Sequence, residues 1–177
     1  PTVISALSSK ADGSYKAGDT IPINVKFSEV VNVTGTPTIQ LETGATDRDV
    51  NYTSGTGTDT LLFTYTVQSG DTASDLSYTS TSALTGTIKD FANNSATLTL
   101  PKLGEASALG TSEALVIDTT VPYMISRVTE GGSDKITVNF TENVSGSPAT
   151  SDFAIVVDSA SVSVPNVSLA GSTAVLT

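Results

Sequence analysis

The chain contains no cysteine and no histidine. Without cysteine it can form no disulfide, no thiolate metal site and no cysteine nucleophile, although this absence does not fix a cellular compartment. Without histidine it can build neither a Ser-His-Asp triad nor a histidine metal site. These two absences exclude whole classes of catalytic and metal centre.

Tryptophan is also absent, and aromatic residues make up only 6% of the chain. Exposed Trp and Tyr platforms are typical of carbohydrate-binding modules, but Tyr52, Tyr65 and Tyr78 lie within strand patterns. The glycines of GTGTD (55–59) lie between predicted strands and not before a helix, so they do not indicate a phosphate loop. Paired carboxylates could hydrolyse glycosides, yet the acidic residues cluster in turn-like loops. We therefore expect no enzyme activity.

Long apolar runs are missing, since no segment approaches the roughly 18 residues that would cross a bilayer. No signal peptide is visible at Pro1, so we expect any such segment to have been removed or to lie outside this fragment. Basic residues are scarce as well, with 8 against 18 acidic ones and a net charge of −10. Such a field repels nucleic acids and anionic membranes and attracts divalent cations, although simple solubility is an equal explanation.

What the sequence does contain is material for strands and turns. Val, Ile, Leu and Thr dominate the patterned segments, while Ser, Thr, Gly, Asn and Asp fill the spaces between them. No segment has sustained helical periodicity, so an all-β sandwich is predicted. The nine strands predicted for the first part of the chain lie near residues 2–7, 19–27, 38–42, 49–53, 59–67, 75–79, 84–89, 95–100 and 113–117.

The sequence begins again after about 120 residues, since PTVIS at its start returns as PYMIS at 122–126. DTIPINVKFSEVV (19–31) also aligns with DKITVNFTENV (134–144), and each copy alternates apolar and polar residues before a Ser/Thr-Glu pair. The offset is 121 residues at the prolines and 113 at the phenylalanines, and the difference lies in a loop. The aligned residues are Ile23, Val25, Phe27, Ser28 and Glu29 with Ile136, Val138, Phe140, Thr141 and Glu142.

This repeat predicts two domains, 1–118 and 122–177, joined by the linker 119–121. The final residues, STAVLT, resemble TDTLLFTYT (58–66) of the first domain, so the second domain is expected to stop partway. Either the protein continues, or a neighbour supplies the missing strands by strand addition.

If every connection reverses the chain, nine strands carry it from one end of the first domain to the other. The turn KDFANN (89–94) would then lie beside the linker, and Glu142 would face back toward that linker. Oxygen ligands gathered there would suit Ca²⁺; the alternative is that these side chains form turn hydrogen bonds or are merely solvated. The candidate ligands are Asp90, Asn93, Asp118 and Glu142, with Asp71 or Asp75 as additional ones.

The segments ADGSYKAGDTIPINVKFSEVVNVTGTPTIQLETG, GTIKDFANN and ALVIDTTVP resemble the Ig-like and cadherin-like tandem repeats of large bacterial and archaeal cell-surface proteins. ITVNFTENVSG and SDFAIVVDS resemble a related Ig-like repeat. The resemblance implies extracellular tandem Ig-like antiparallel β-sandwiches, the second incomplete, often with Ca²⁺ at their joints. DFANN departs from the usual Asp-x-x-Gly-Asn turn: Asn93 stands where Gly would be and Asn94 where Asn would be, which makes Asn94 a candidate calcium ligand.

These observations favour a non-catalytic extracellular spacer repeat of an adhesin or stalk, partnered by neighbouring Ig-like repeats and stiffened by calcium. An alternative is a segment of a surface-layer or filament subunit that assembles by strand addition. A further alternative is a carbohydrate- or protein-binding module.

Overall fold

The computed structural model describes residues 1–129, 135–153, 155–157, 160–162 and 164–177. They form two compact units, Pro1–Thr120 and Val121–Thr177. Their regular secondary structure is almost entirely β-strand, in mainly antiparallel sheets, so the all-β prediction is confirmed. Asp134, Ala154, Asp158 and Ser159, which belong to segments compared above, lie outside the described residues. Within those ranges, no helix is long and apolar enough to cross a membrane.

Unit one contains two sheets. β1, β3, β4, β5, β7 and β8 form one sheet around the long β3, and β2, β9 and β6 form a smaller one. The strands are β1 (Val3–Ser8), β2 (Gly13–Tyr15), β3 (Thr20–Glu42), β4 (Arg48–Ser54), β5 (Thr58–Thr66), β6 (Thr72–Ala73), β7 (Ser77–Tyr78), β8 (Leu84–Lys89) and β9 (Leu115–Asp118).

The core of unit one follows the period-two pattern of the sequence. Ile21, Ile23, Val25 and Phe27 alternate along β3 and are at most 1% exposed. Apolar side chains from β5 and β8 join them in one buried cluster. Burial of each such side chain contributes about 1.5–3 kcal/mol, so this alternation fixes which face of β3 turns inward.

β3 is continuous, whereas the sequence predicted separate strands at 19–27 and 38–42. Residues 20–26 pair with β5, residues 38–41 pair with β4, and β4 pairs with β5, all antiparallel. The two halves of β3 therefore run in opposite directions. Gly35, with a φ of 75°, lies between Thr34 and Thr38, where the pairing of β3 with β8 shifts register.

The path of β7 and β8 corrects the predicted one. Both strands pair antiparallel with the second half of β3, so they run in the same direction along one neighbour. Residues 79–83 form an excursion, held where Thr79 N donates to Gln40 O and Gln40 N donates to Ala83 O. The Ser/Thr-rich segment 79–83 has the composition of a turn that reverses the chain, but β8 continues in the direction of β7. The predicted strand 95–100 is also wrong, since only isolated bridges occur at Ser95 and Thr97.

Unit two consists of a four-stranded sheet in the order β10-β11-β15-β14 and a hairpin of β12 and β13. Val138, Val164, Ala174 and Leu176 form its small buried core. The elements are β10 (Met124–Thr129), β11 (Ile136–Phe140), a 3₁₀ turn (Thr150–Asp152), β12 (Ile155–Val157), β13 (Ala160–Val162), β14 (Val167–Ala170) and β15 (Thr173–Leu176).

The repeat recurs in the strand pairing. The β1–β3 and β10–β11 ladders have the same register, displaced by 121 residues on the first strand and 113 on the second. Both ladders shift register at the same step, between Val3 and Ser5 and between Met124 and Ser126. The first and last pairs are Val3↔Phe27 and Ser8↔Ile23 in unit one and Met124↔Phe140 and Thr129↔Ile136 in unit two.

The residue after the last paired residue on the second strand of each ladder, Ser28 or Thr141, forms the same pair of hydrogen bonds. Thr2 N donates to Ser28 Oγ (3.0 Å), and Ser28 N donates to Thr2 O (2.9 Å). In unit two, Tyr123 N donates to Thr141 Oγ1 (3.2 Å), and Thr141 N donates to Tyr123 O (3.0 Å). The alignment of Ser28 with Thr141 is therefore confirmed, and it has a physical cause, because the side-chain hydroxyl of each residue accepts a hydrogen bond from the backbone of the first strand.

The correspondence extends to a third strand. β15 pairs with β11 as β5 pairs with β3, again 113 residues apart, so Leu176 corresponds to Phe63. This confirms the alignment of STAVLT with the sequence around β5. Within the described part of unit two, β10, β11 and β15 correspond to β1, the first half of β3 and β5.

Candidate functional site

Asp90 is bound within its own turn. Asn94 N donates to Asp90 Oδ1 (2.8 Å), and Asn94 Nδ2 donates to Asp90 Oδ2 (2.8 Å). These hydrogen bonds, the side-chain one first, lower the pKa of Asp90. Both carboxylate oxygens therefore act in the turn, which is the hydrogen-bonded alternative to a calcium ligand.

Asn93 has a φ of 69°, the only positive value at a non-glycine residue in the described part of the chain. Glycine adopts this conformation without strain, and asparagine tolerates it better than most residues. The substitution of Asn for Gly in the DFANN turn is thus compatible with the backbone. Asn93 N donates to Asp90 O (3.2 Å), which closes the turn.

Asp90 and Asp118 lie at opposite ends of unit one, contrary to the expectation that both lie beside the linker. Asp90 follows β8 and lines a shallow depression with Glu29 and Val30, next to the end of the β1–β3 ladder. Asp118 pairs with Thr72 at the other end. The first half of β3 joins the two ends, which at about 3.3 Å per residue lie roughly 20 Å or more apart. The physical reason is the unreversed path from β7 to β8.

Glu142 follows β11 as Glu29 follows the corresponding part of β3. Its side chain is half-buried, and Oε1 has no hydrogen-bond partner among the described residues. Asp118 Oδ1 accepts a hydrogen bond from Thr120 N (3.0 Å). Asp118 belongs to unit one and Glu142 belongs to unit two.

Asp71, which the sequence suggested as an additional calcium ligand, is 1% exposed and fully engaged. Arg48 donates to Oδ1 from Nε (2.9 Å) and Nη2 (2.8 Å). Oδ2 accepts hydrogen bonds from the Tyr65 hydroxyl (2.5 Å) and from Gln68 N (3.0 Å). The sequence left the face of Tyr65 unassigned, and the structure turns it inward to this carboxylate.

The electrostatics of this cluster stabilise the charged carboxylate. Burial by itself raises the pKa of Asp71, but the hydrogen bonds from Arg48 and Tyr65 outweigh burial and leave that pKa below its usual value. Burial, and then the hydrogen bond to Asp71, raise the pKa of Tyr65. Thr119 Oγ1 donates to Asp71 O (2.9 Å) and accepts from Gly70 N (3.0 Å). The cluster therefore anchors the last residues of unit one.

Three carboxylates that the sequence analysis did not group lie near the start of β9. Asp12 Oδ1 accepts from Ala114 N (2.9 Å), and Asp75 Oδ1 accepts from Leu115 N (3.2 Å). Burial, and also the charges of Asp12 and Asp75, raise the pKa of Glu113. In the part of the chain that the structure describes, no group of three or more acidic residues has a geometry that could hold a metal ion.

Unit two has an apolar groove of about 380 Å³ between its sheet and its hairpin. Met124 and Arg127 of β10 line one side. Apolar residues form most of the remaining wall, which includes Ile136, Val138, Phe140, Phe153, Ile155 and Leu176. Ile136 and Phe140 in this wall are half-buried, whereas their counterparts in unit one, Ile23 and Phe27, are at most 1% exposed.

Neither this groove nor the carboxylate clusters can be assigned from known proteins. No protein-family model, curated protein or solved structure matches the chain.

Proposed function

We propose that the chain is a non-catalytic spacer segment of an extracellular adhesin or stalk, in which one β-module is used twice in series. The observation that carries this proposal is the shared ladder, with the same register, bulge and closing hydrogen bonds in both units. Repetition of a module adds length and brings no new reactive groups. The extracellular setting is supported by the resemblance of these segments to cell-surface repeats.

The strands near the two ends of unit one are arranged to resist tension. β2 and β9 pair in parallel, and Gly13 N donates to Ala114 O (3.0 Å) while Ala114 N donates to Asp12 Oδ1 (2.9 Å). Tension applied through the start of β2 and the end of β9 runs along both strands. Their hydrogen bonds are then loaded together in shear and must break together.

Single-molecule pulling on the full chain tests this function. Unit one should unfold in one event with a rupture peak, and its contour length should grow by about 400 Å, since roughly 120 residues extend by about 3.3–3.6 Å each. Asp12→Ala, which removes one hydrogen bond beside the parallel pair, should lower the rupture force. Extension of unit one without a rupture peak would contradict a load-bearing role.

A second candidate function is a surface-layer or filament subunit that assembles by strand addition. The exposed β10 favours it, because all six residues of this strand are exposed. Sedimentation velocity over a range of concentrations separates the two functions. A spacer stays monomeric, whereas an assembling subunit forms higher species as concentration rises.

Calcium binding is a separate hypothesis that unit one does not support by geometry, because Asp90 and Asp118 lie apart within it. Thermal melts of the full chain with millimolar Ca²⁺ and with a chelator test the hypothesis, since a ligand specific to the folded state raises the midpoint. A rise that Asp118→Asn abolishes would assign calcium to that residue. An unchanged midpoint would remove calcium from the proposal.

A further inference from the structure

Thr119 fastens the end of unit one to the turn at residues 68–71. Its Oγ1 donates to Asp71 O (2.9 Å) and accepts from Gly70 N (3.0 Å), so one hydroxyl bridges two backbone groups of the turn. The side chain of Thr119 is half-buried. A valine in its place would have nearly the same shape but could form neither hydrogen bond. Thr119, Gly70 and Asp71 together make up what we call the latch.

The turn that belongs to the latch is itself fixed to other strands of unit one. The carboxylate of Asp71 accepts hydrogen bonds from Arg48 of β4 and from Tyr65 of β5. Next to it, Thr72 N donates to the carbonyl oxygen of Thr43, the residue after β3 (3.0 Å). Hydrogen bonds to a charged group are among the strong ones. The latch therefore ties the end of unit one to a part of the unit that is held from several sides.

The residues on either side of Thr119 are also held within unit one. Asp118 pairs with Thr72 in the small sheet, and Thr120 N donates to Asp118 Oδ1 (3.0 Å). Thr120 is the last residue of unit one. Hydrogen bonding within unit one thus reaches its final residue, and a bend of the chain is left to the residues that follow.

A short stretch separates Thr120 from the first hydrogen bonds of unit two. Tyr123 is held by its two hydrogen bonds with Thr141, of 3.2 and 3.0 Å. Between these fixed points, Val121 and Pro122 have no hydrogen bond among the described residues, and Val121 is 74% exposed. Free bending is therefore confined to these two residues.

The identity of Val121 and Pro122 restricts that bend. The ring of proline holds its own φ at about −65°. Proline also disfavours the helical region for the residue before it, so Val121 is limited to extended backbone. Of the four backbone angles in this stretch, the ψ of Pro122 alone keeps its ordinary freedom.

We propose that the joint between the two units is stiff without a bound ion. The latch holds the chain up to Thr120, and Val121 and Pro122 limit the bend beyond it. Hydrogen bonds and a proline thereby take the role that the sequence suggested for calcium. Thr119 is a positioning residue, since it sets the direction in which the chain leaves unit one. The proposal rests on the spacer function proposed above and deepens it, because a stiff joint maintains the reach of a stalk.

Distances between spin labels on the full chain measure the stiffness of the joint. The chain has no cysteine, so Thr66→Cys and Ser168→Cys, both at exposed positions, place one nitroxide in each unit. In a chelator the distance distribution should be narrow, and Pro122→Gly should broaden it at least about twofold, because glycine frees φ. A broad distribution in the chelator, whether or not millimolar Ca²⁺ narrows it, would overturn the proposal. So would a distribution that Pro122→Gly leaves unchanged.

Backbone amide relaxation in the chelator tests the latch. The order parameters of Thr119 and Thr120 should be about 0.85 in the unsubstituted chain, and Thr119→Val should lower both below about 0.6. Thr119→Ser keeps the hydroxyl and should preserve the high values. Thr120→Val is the matched control and should preserve them too, because the hydrogen bond described for Thr120 is that of its backbone N. Unchanged order parameters in Thr119→Val would overturn the latch.

Circular dichroism and melting establish that each variant stays folded. Pro122→Ala and Thr119→Ala, with the same expected directions, replace a variant that does not fold. Absence of a rupture peak in the pulling experiment would refute the load-bearing role and leave the stiffness of the joint unaffected. A flexible joint would refute the present proposal and leave the rupture of unit one unaffected, so the two failures are distinguishable.

Discussion

The β1–β3 ladder of unit one and the β10–β11 ladder of unit two have the same pairing in different surroundings. Phe27 is 1% exposed, whereas Phe140, at the same ladder position, is only half-buried. The register is set locally, by alternation of apolar residues and by the hydroxyl that follows the strand. Burial depends on what packs over the ladder, and in unit one this includes the segment from β7 to β9.

Truncation of the matched phenylalanines Phe27 and Phe140 should give the largest difference in stability between the two units. Phe27→Ala should destabilise unit one by about 3–5 kcal/mol, as expected for a large side chain in a filled core. Phe140→Ala should cost less than about half as much, because its side chain retains contact with solvent. Hydrogen exchange read by mass spectrometry in increasing urea measures each unit separately. Equal losses in the two units would contradict the open groove.

Removal of the Asp71 charge should affect unit one alone. Asp71→Asn leaves Arg48 without its carboxylate and should cost about 2 kcal/mol, less than a fully buried pair because Arg48 keeps some solvent contact. The pKa of Asp71 is lowered by folding, so its stabilisation is complete above about pH 4 and is lost as pH falls through the folded pKa.

Urea unfolding of the full chain and of the Asp71→Asn variant between pH 2 and pH 7 measures this dependence. The stability of unit one in the variant should change less with pH in the acid range. Unit two, which lacks a counterpart of this cluster among its described residues, serves as the internal control. An unchanged acid dependence of unit one in the variant would show that Asp71 is not the group responsible.

Removal of the matched hydroxyls of Ser28 and Thr141 should destabilise the two units equally, because each hydroxyl accepts the same hydrogen bond in its own ladder. Ser28→Ala and Thr141→Ala each remove an acceptor from a backbone N–H, and each should cost about 1 kcal/mol in its own unit. Ser28→Thr and Thr141→Ser keep the hydroxyl and serve as controls. Hydrogen exchange measures the stability of each unit, and a loss in only one of the two alanine variants would contradict a shared closing motif.

The smallest expected effect is that of Glu113→Gln, which should stabilise unit one where the other substitutions destabilise it. The pKa of Glu113 is raised in the folded chain above its usual 4.5, so the folded state binds this proton more tightly than the unfolded state does. That contribution to stability is present below about pH 4.5 and is lost as pH rises through the folded pKa. Glu113→Gln should therefore stabilise unit one at pH 7 by about 0.5 kcal/mol, since the charge is only partly desolvated. Urea unfolding at pH 7 and at pH 4 measures this, and a stabilisation of equal size at both values would argue against titration of Glu113.

Local pattern predicted the features that depend on neighbours in sequence. The alternation from Ile21 to Phe27 gave the strand and its buried face, and the position of Ser28 gave the end of the ladder. The direction of β8 could not be predicted, because it depends on which partner the chain finds after an excursion that resembles a turn. Because β8 continues in the direction of β7, Asp90 lies at the end of unit one opposite to the predicted one.

The cluster of Arg48, Tyr65 and Asp71 could not be predicted from the sequence for a related reason. Arg48 and Asp71 are 23 residues apart, and nothing in the QSGD turn indicates that its aspartate receives a guanidinium and a tyrosine hydroxyl. Long-range partners of single polar residues leave no periodic signal.

Matched disulfides provide the most direct test of the central claim that one strand pair is used twice in the same register. The chain has no cysteine of its own, so paired substitutions report cleanly. Leu7→Cys with Asn24→Cys, and Val128→Cys with Thr137→Cys, should both oxidise rapidly in the folded chain, because each pair lies directly opposite in its ladder. Rapid oxidation of Val128→Cys with Ile136→Cys, a register slipped by one residue, together with failure of the matched pair, would contradict it.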